Sequence, residues 1–422
     1  MRSDTPAKRR RPTRLAFHAK FTLAIRNVLR HRGRAFTTLG AVAFGVATLI
    51  LSQGFVEDIF VQLGEAIIHS QTGHIQLARE GYFVHGAHKP DSYLVADPEG
   101  DKARIATLPE VEDVMARLGF PGLLSNGRAD LPILGEGIEA VKEEKLGSFV
   151  KLSSGRRLKA DDHFHALLGD GVAKSLRLKT GDRAVLMVST KDGATNTLDV
   201  EIVGTFQSFS KEYDNRAVKL PLAAAQELMN TKTANTLVVS LKQTAFTKQV
   251  ANTLTERNVW RDQEVKMWDQ INDFYPKTVA LYGKQFGGLR MVILLMVLLS
   301  VVNAVNTGVF ERTAEFGTAR ALGNRRRNIL EIILIENSLL GLLGVAAGVG
   351  IGVGVAKAVS YVGIPMPPPP NSDLPYTALV RVSWNAVITA SAIGFAATFL
   401  ASIFPAVKMA RMDIAMALRK AI

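Results

Sequence analysis

The sequence predicts an α-helical membrane protein with four transmembrane helices and a large α+β extracytoplasmic domain inserted between helices 1 and 2. Three observations carry that prediction. Hydrophobic residues make up 47% of the 422-residue chain, and they are clumped: 35–56, 291–310, 337–356 and 382–407 contain no Asp, Glu, Lys, Arg or His. A hydrocarbon core about 30 Å thick needs about 20 apolar residues at helical rise, and each stretch is that long. The net charge of +13 is also uneven. Residues 57–290 hold 29 basic and 31 acidic side chains, a balance of −2, whereas the other 188 residues hold 22 and 7, a balance of +15.

Short loops rich in Lys and Arg stay in the cytoplasm. Both termini and the loop between spans two and three are therefore expected inside, with the insert outside. The same rule accounts for the basic balance without nucleic acid, which is not read as a partner. The chain contains no cysteine, which excludes disulfides, thiolate metal sites and cysteine nucleophiles.

Taken in order, 1–34 is a basic cytoplasmic arm followed by an interfacial helix. Residues 1–14 form the Pro-containing arm. From 15 to 34, Phe17, Phe21, Ala24, Ile25, Val28 and Leu29 recur at three- and four-residue steps, with Lys20, Arg26, Arg30 and Arg34 between them, the pattern of a helix lying in the membrane interface. The first span, 35–56, reads as an anchor rather than a cleaved leader, because its basic preamble is long and no small-x-small site follows.

The outer domain, 57–290, begins and ends with stalk helices expected at 57–71 and 271–290. Between them, strands are expected at 74–78, 111–118, 183–189, 197–204, 216–220, 236–241 and 264–268, and helices at 102–108, 222–229 and 245–257. Thr180-Gly181-Asp182 and Asp192-Gly193 supply turns. The second span is 291–310, a coupling-helix loop occupies 311–328, and the third span is 329–360. Residues 361–381 form an outer loop stiffened by Pro365 and Pro367–Pro370. The fourth span, 382–407, leads to a cytoplasmic tail at 408–422.

Within the spans, Gly344, Gly348 and Gly352 share one helix face and let another helix approach closely; Ala41 and Gly45 repeat the device in span one. On sequence alone these faces serve a homodimer or contacts within the chain equally well. Asn303 and Asn306 lie in span two. Glu336, where span three begins, reads as an interfacial carboxylate rather than part of a proton relay.

No G-x-x-x-x-G-K-[ST], G-x-S-x-G or H-E-x-x-H motif occurs, so no nucleotide cradle, serine elbow or zinc helix is read. Lys179-Thr180-Gly181 and Ser208-x-x-Lys211 stand in the wrong order for penicillin-binding motifs. His85-x-x-His88 and Asp161-Asp162-His163-x-His165 read as solvated loop residues rather than metal ligands. The chain is expected to be a non-catalytic membrane subunit with no cofactor or metal of its own.

The informative segment is Glu311-Arg312-Thr313-x-Glu315-x-Gly317-x-x-Arg320-Ala321-Leu322-Gly323, followed by Arg325-Arg326-Arg327. Its composition suits a short cytoplasmic helix with Glu311 and Glu315 on one face, an apolar surface of Ala314, Ala321 and Leu322, and Gly323 as C-cap. It resembles the signature of the FtsX/MacB/LolC-type ABC transporter permeases. Arg26-Asn27-Val28-Leu29-Arg30, Pro405-Ala406 and Ala417-Leu418-Arg419 resemble further elements of that family, with Asp413-Ile414 where an Asp-Pro is usual. Gln71-Thr72-Gly73-His74-Ile75-Gln76-Leu77 is most similar to the lipoprotein-releasing (LolC/LolE-type) branch.

The resemblance implies a permease of the bacterial inner membrane that works with a second permease copy or paralogue. ATP and Mg would sit on a separate cytoplasmic ABC ATPase dimer. Glu311, Arg312, Glu315, Gly317, Arg320 and Gly323 become the ATPase-coupling candidates, with Arg312 and Arg320 pairing with an ATPase helix end or acidic groove and Gly317 permitting close backbone approach. Motion would pass to the periplasmic domain to extract or export lipoprotein or other lipidated cargo, or to act on an adaptor. The alternatives are MacB-like efflux of peptides or drugs, and FtsX-like signalling that activates a cell-wall hydrolase.

Overall fold

The structure, a computed structural model, describes residues 17–30, 32–86, 89–189, 194–271, 274–368 and 372–412. The expected arm at 1–14, His88, the Asp192-Gly193 turn, Pro369, Pro370, Asp413-Ile414 and Ala417-Leu418-Arg419 lie outside them, as do the side chains of Phe17, Lys20, Val28, Leu29 and Arg34. The chain forms two compact units: 1–58 with 282–364 and 378–422, and 59–281 with 365–377.

Helix α1 (Phe17–Arg30) buries Ala24 and leaves Phe21, Ile25, Arg26 and Arg30 exposed. Helix α2 (Arg32–Ile67) contains the first charge-free stretch, runs beyond it and ends in a π-turn, Ile68–Thr72. Gly73, at φ +66, then reverses the backbone into the first strand, a conformation glycine adopts without a Cβ penalty.

The inserted domain follows in the order β1 (Ile75–Arg79), α3 (Tyr82–His85), α4 (Pro98–Ile105), β2 (Val111–Ser125), β3 (Asp130–Ile138), α5 (Ala140–Leu146), β4 (Lys151–Gly155), β5 (His165–Gly169) and α6 (Asp170–Leu176). It continues with β6 (Arg183–Ser189), β7 (Thr195–Gln207), α7 (Lys211–Asp214), β8 (Ala217–Pro221), α8 (Leu222–Leu228), β9 (Thr236–Leu241), α9 (Thr247–Arg257), β10 (Gln263–Met267) and α10 (Trp268–Ile271). The strand pairings close a ring: β2 pairs with β3, β3 with β8, β8 with β5, β5 with β7, β7 with β6, and β6 with β2. Every strand of this ring adds to one core, through Leu124, Ile133, Leu168, Leu186, Val200 and Val218. Closure removes the edges that would otherwise template pairing with another chain.

A second lobe uses the sheet β10-β1-β9-β2. There Ile75, Leu77, Val114, Leu237 and Val239 pack on Ile105 of α4 and on Val250 and Leu254 of α9. The 15-residue β2 serves both lobes. Its distal half and β3 go beyond the expected strands because Gly119, Pro121, Gly122, Pro132, Gly135 and Gly137 read as breakers. The folded pair needs some of those glycines: a Cβ on Gly135 would collide with the Phe120 ring, and one on Gly137 would collide with the Ala225 methyl.

The chain then forms α11 (Phe274–Phe310), α12 (Thr313–Ala321), α13 (Arg326–Val362), the short strands β11 (Ile364–Met366) and β12 (Tyr376–Ala378), and α14 (Trp384–Arg411). Among the described residues, four helices, α2, α11, α13 and α14, are long and apolar enough to cross a membrane. Ser383 caps α14 by accepting a bond from Ala386 N at 3.2 Å, which satisfies one of the donors a helix start leaves open.

The glycine faces are used within the chain. A Cβ on Gly344, Gly348 or Gly352 would meet Val42, the Ala43 carbonyl or Ala47 of α2 at 2.8, 2.7 and 3.1 Å, so α13 lies directly on α2. Gly45 faces Val297 of α11, and Ala41 packs against the same core.

Candidate functional site

The segment between α11 and α13 is a braced corner. After Phe310, one irregular turn places Arg312 at the N-cap of α12. At the far end, Gly323 N–H donates to Arg320 O at 3.0 Å and Asn324 N–H to Ala319 O at 3.1 Å. With Gly323 at φ +95, the turn closes in the manner of a Schellman motif, which satisfies carbonyls that the helix end would leave open. Helix α13 starts at Arg326, so only a short turn separates the two helices.

Arg312 is the centre of the corner. Its Nη1 lies 2.6 Å from both Glu336 oxygens, its Nε donates to Glu315 at 2.8 Å, and its guanidinium sits 4.9 Å from the Phe316 ring centroid. The Arg312 and Glu336 side chains are 8% and 12% exposed. Burial works against the guanidinium charge, but Glu336 and Glu315 outweigh it and raise the Arg312 pKa. A small cavity of about 30 Å³ borders this pair, lined also by Asn27, Thr38 and Asn337. Asn27 of the N-terminal motif therefore reaches the same place as the corner.

This geometry changes several expected roles. Arg312 is paired with Glu336 inside the chain rather than open to an acidic partner. Gly317 is buried, and Arg320 donates to the Met412 carbonyl. Helix α12 begins at Thr313, so Glu311 precedes it and does not share a helical face with Glu315. The apolar side chain that packs is Phe316, while Leu322 is 84% exposed. Glu336, expected as an interfacial carboxylate, is the buried counter-ion. The solvent-facing surface consists of Glu311, Glu315, Thr318, Ala321, Leu322, Gly323 and Arg325–Arg327. Leu322 and the three arginines are not among the coupling candidates that the sequence offers; an apolar residue beside a basic run is the signal that points to them.

Among the described residues, no group of three or more His, Asp or Glu side chains converges as a metal site. Asp162 is held by Arg156 at 2.6 and 2.9 Å, and His163 lies 3.0 Å from Glu227.

Known proteins resemble both parts of the chain. Residues 35–257 match the family described as MacB-like periplasmic core domain, and 289–414 match FtsX-like permease C-terminal. The macrolide export ATP-binding/permease protein MacB of Sodalis glossinidius is 24% identical over 363 residues, covering 81% of this chain and 53% of that protein. The lipoprotein-releasing system transmembrane protein LolC of Xylella fastidiosa is 22% identical over 394 residues, covering 90% of this chain and 92% of that protein. The chain spans about half the length of the MacB relatives it matches. The solved periplasmic region of MacB from Actinobacillus actinomycetemcomitans is 14% identical, with a TM-score of 0.35, covering 49% of this chain and 93% of that one.

Proposed function

Because the chain belongs to the FtsX/MacB/LolC family of ABC transporter permeases, we propose that it converts motion of a separate cytoplasmic ABC ATPase into movement of its inserted domain. The complex would lie in the bacterial inner membrane, with the termini and the α12 corner inside. A second permease copy or paralogue would complete it, and the cargo would be a lipoprotein or another lipidated molecule.

The braced corner carries this reading. A lever must present a surface to its motor and must not bend when pushed. The Arg312–Glu336 pair and the turn at Gly323 supply the stiffness. Leu322 with Arg325 and Arg326 supplies an apolar contact beside positive charge, suited to an acidic groove, where apolar and Arg anchors contribute much of the binding energy; Arg327 is paired with Glu331 at 2.8 Å. The LolC relative, matched along nearly its whole length, supports lipidated cargo, and the MacB relative keeps soluble efflux as the alternative.

Leu322→Asp tests the docking surface. The variant should still insert into the membrane, while recovery of the ATPase with the purified chain falls about tenfold, the effect of losing about 1.4 kcal/mol. Full recovery of ATPase would overturn the assignment. In the intact complex, a lipid-anchored protein should stimulate ATP hydrolysis, and the same protein without its lipid should not. Stimulation by soluble compounds alone would favour efflux.

A further inference from the structure

The inserted domain contains a buried charge network that the proposed function does not use. Arg117 of β2 donates from Nη1 to the carbonyl of Gln71, in the π-turn that ends α2. Its other nitrogens hold both oxygens of Glu143 in α5, Nε at 3.2 Å and Nη2 at 2.6 Å. Lys219 of β8 lies 3.1 Å from the same carboxylate. Glu136 of β3 accepts from the Tyr213 hydroxyl at 2.7 Å. The Arg117, Glu143 and Lys219 side chains are 7%, 9% and 4% exposed.

Burying such charges gains little stability over an apolar core of the same shape, because desolvation offsets the attraction. The network serves better as a device that fixes one arrangement. The π-turn is the element that needs fixing: the last carbonyls of a helix lack intrahelical partners, and the negative end of the helix dipole favours a cation there. His69 in the same turn is tied independently to α5, with Nδ1 3.1 Å from Leu146 O, and Phe149 N–H donates to His69 O at 3.4 Å. Within the network, Arg117 is the group that touches both the turn and the Glu143 carboxylate.

We propose that Arg117 is a positioning residue that clamps the end of α2 to the sheet, so that displacement of the helix is passed to the domain instead of being absorbed by the π-turn. This builds on the proposed lever, but it concerns a joint within one unit and is testable without ATPase or cargo. Lysine cannot reproduce the clamp. It would keep a charge opposite Glu143, yet its single ammonium lacks the fork that reaches Gln71 and both Glu143 oxygens together.

The chain's lack of cysteine allows labelling without background. Spin labels on V61C and R128C, one on α2 and one in the β2–β3 hairpin turn, report the joint by electron–electron distance in the full chain in detergent. The parent should give one narrow distance distribution. R117K should give a distribution about twice as wide at an unchanged unfolding midpoint, since the turn loosens while the fold stays intact. A broad distribution in the parent, or one in R117K as narrow as the parent's, would overturn the clamp. Broadening that comes only with a lowered midpoint would also overturn it, by assigning Arg117 to folding alone. Full ATPase recovery with Leu322→Asp would sink the docking surface and leave this result untouched.

Discussion

Among the described residues, a carboxylate–arginine pair joins separate segments of the membrane unit at two places, and the two differ in how charge is buried. At the α12 corner, Arg312 and Glu336 are both largely withdrawn from solvent. Where α2 meets the start of α14, Asp58 is fully buried but Arg381 is 47% exposed. Asp58 also has a backbone donor, Leu379 N–H at 2.7 Å, beside Arg381 Nε at 2.9 Å. In the corner, the buried Glu336 carboxylate is held by Arg312, and Arg312 is held in turn by Glu336 and by the half-exposed Glu315. At the second place, only the carboxylate is shut away from water, and it has more than one source of stabilisation. The first arrangement suits a stiff corner and the second suits an anchor that tolerates change.

The largest expected effect tests that buried pairing. Arg312→Met should destabilise the chain by about 3–5 kcal/mol, since it leaves the buried Glu336 carboxylate without its guanidinium, and Glu336→Met should cost less, since Arg312 keeps Glu315. The double variant should recover most of the loss, giving a large coupling energy in denaturant unfolding of the detergent-solubilised protein. Additive losses would remove the distinction between the two places.

A medium effect is expected from Gly54, where α2 and the α14 lead-in come closest. Arg381 N–H donates to Gly54 O at 3.2 Å, and a Cβ on Gly54 would collide with the Arg381 carbonyl oxygen. Gly54→Ala should force the segments apart and cost about 1–3 kcal/mol. Gly40→Ala, on the same helix with nothing within 4 Å, should be neutral or stabilising by up to about 1 kcal/mol. Equal unfolding midpoints for the two variants would show that the close approach has no energetic weight.

How far these places can be read from sequence follows from how local their signals are. The four spans are visible because a charge-free run of sufficient length lies within one segment. Gly323 is visible because a helix C-terminus concentrates its cue in a few residues. Arg312 and Glu336 are each conspicuous, but 24 positions separate them, and nothing in either neighbourhood names its partner. Asp58 and Arg381 are 323 positions apart, so the first looks like one stalk charge among several. The small-residue face at Gly344, Gly348 and Gly352 shows that some helix packs there, and only the fold identifies it as α2. In the inserted domain, the glycines and prolines of β2 and β3 hide a strand pair because their role is set by Phe120 and Ala225 across the fold.

The smallest expected effect is the most discriminating for the asymmetric pair. Arg381→Ala removes a half-exposed cation whose attraction to Asp58 is already screened, and surface-type pairs contribute about 0–1 kcal/mol. Asp58 would keep the Leu379 N–H, and water could reach the space left by the guanidinium. The loss should be about 1 kcal/mol or less and should shrink as salt is raised. The loss from Arg312→Met should hardly change with salt, because its partner is shielded from solvent. Unfolding midpoints of both variants at low and high ionic strength decide the matter. If Arg381→Ala proves as costly and as insensitive to salt as Arg312→Met, the exposed arginine is bound as tightly as the buried one, and the contrast between a rigid corner and a tolerant anchor fails.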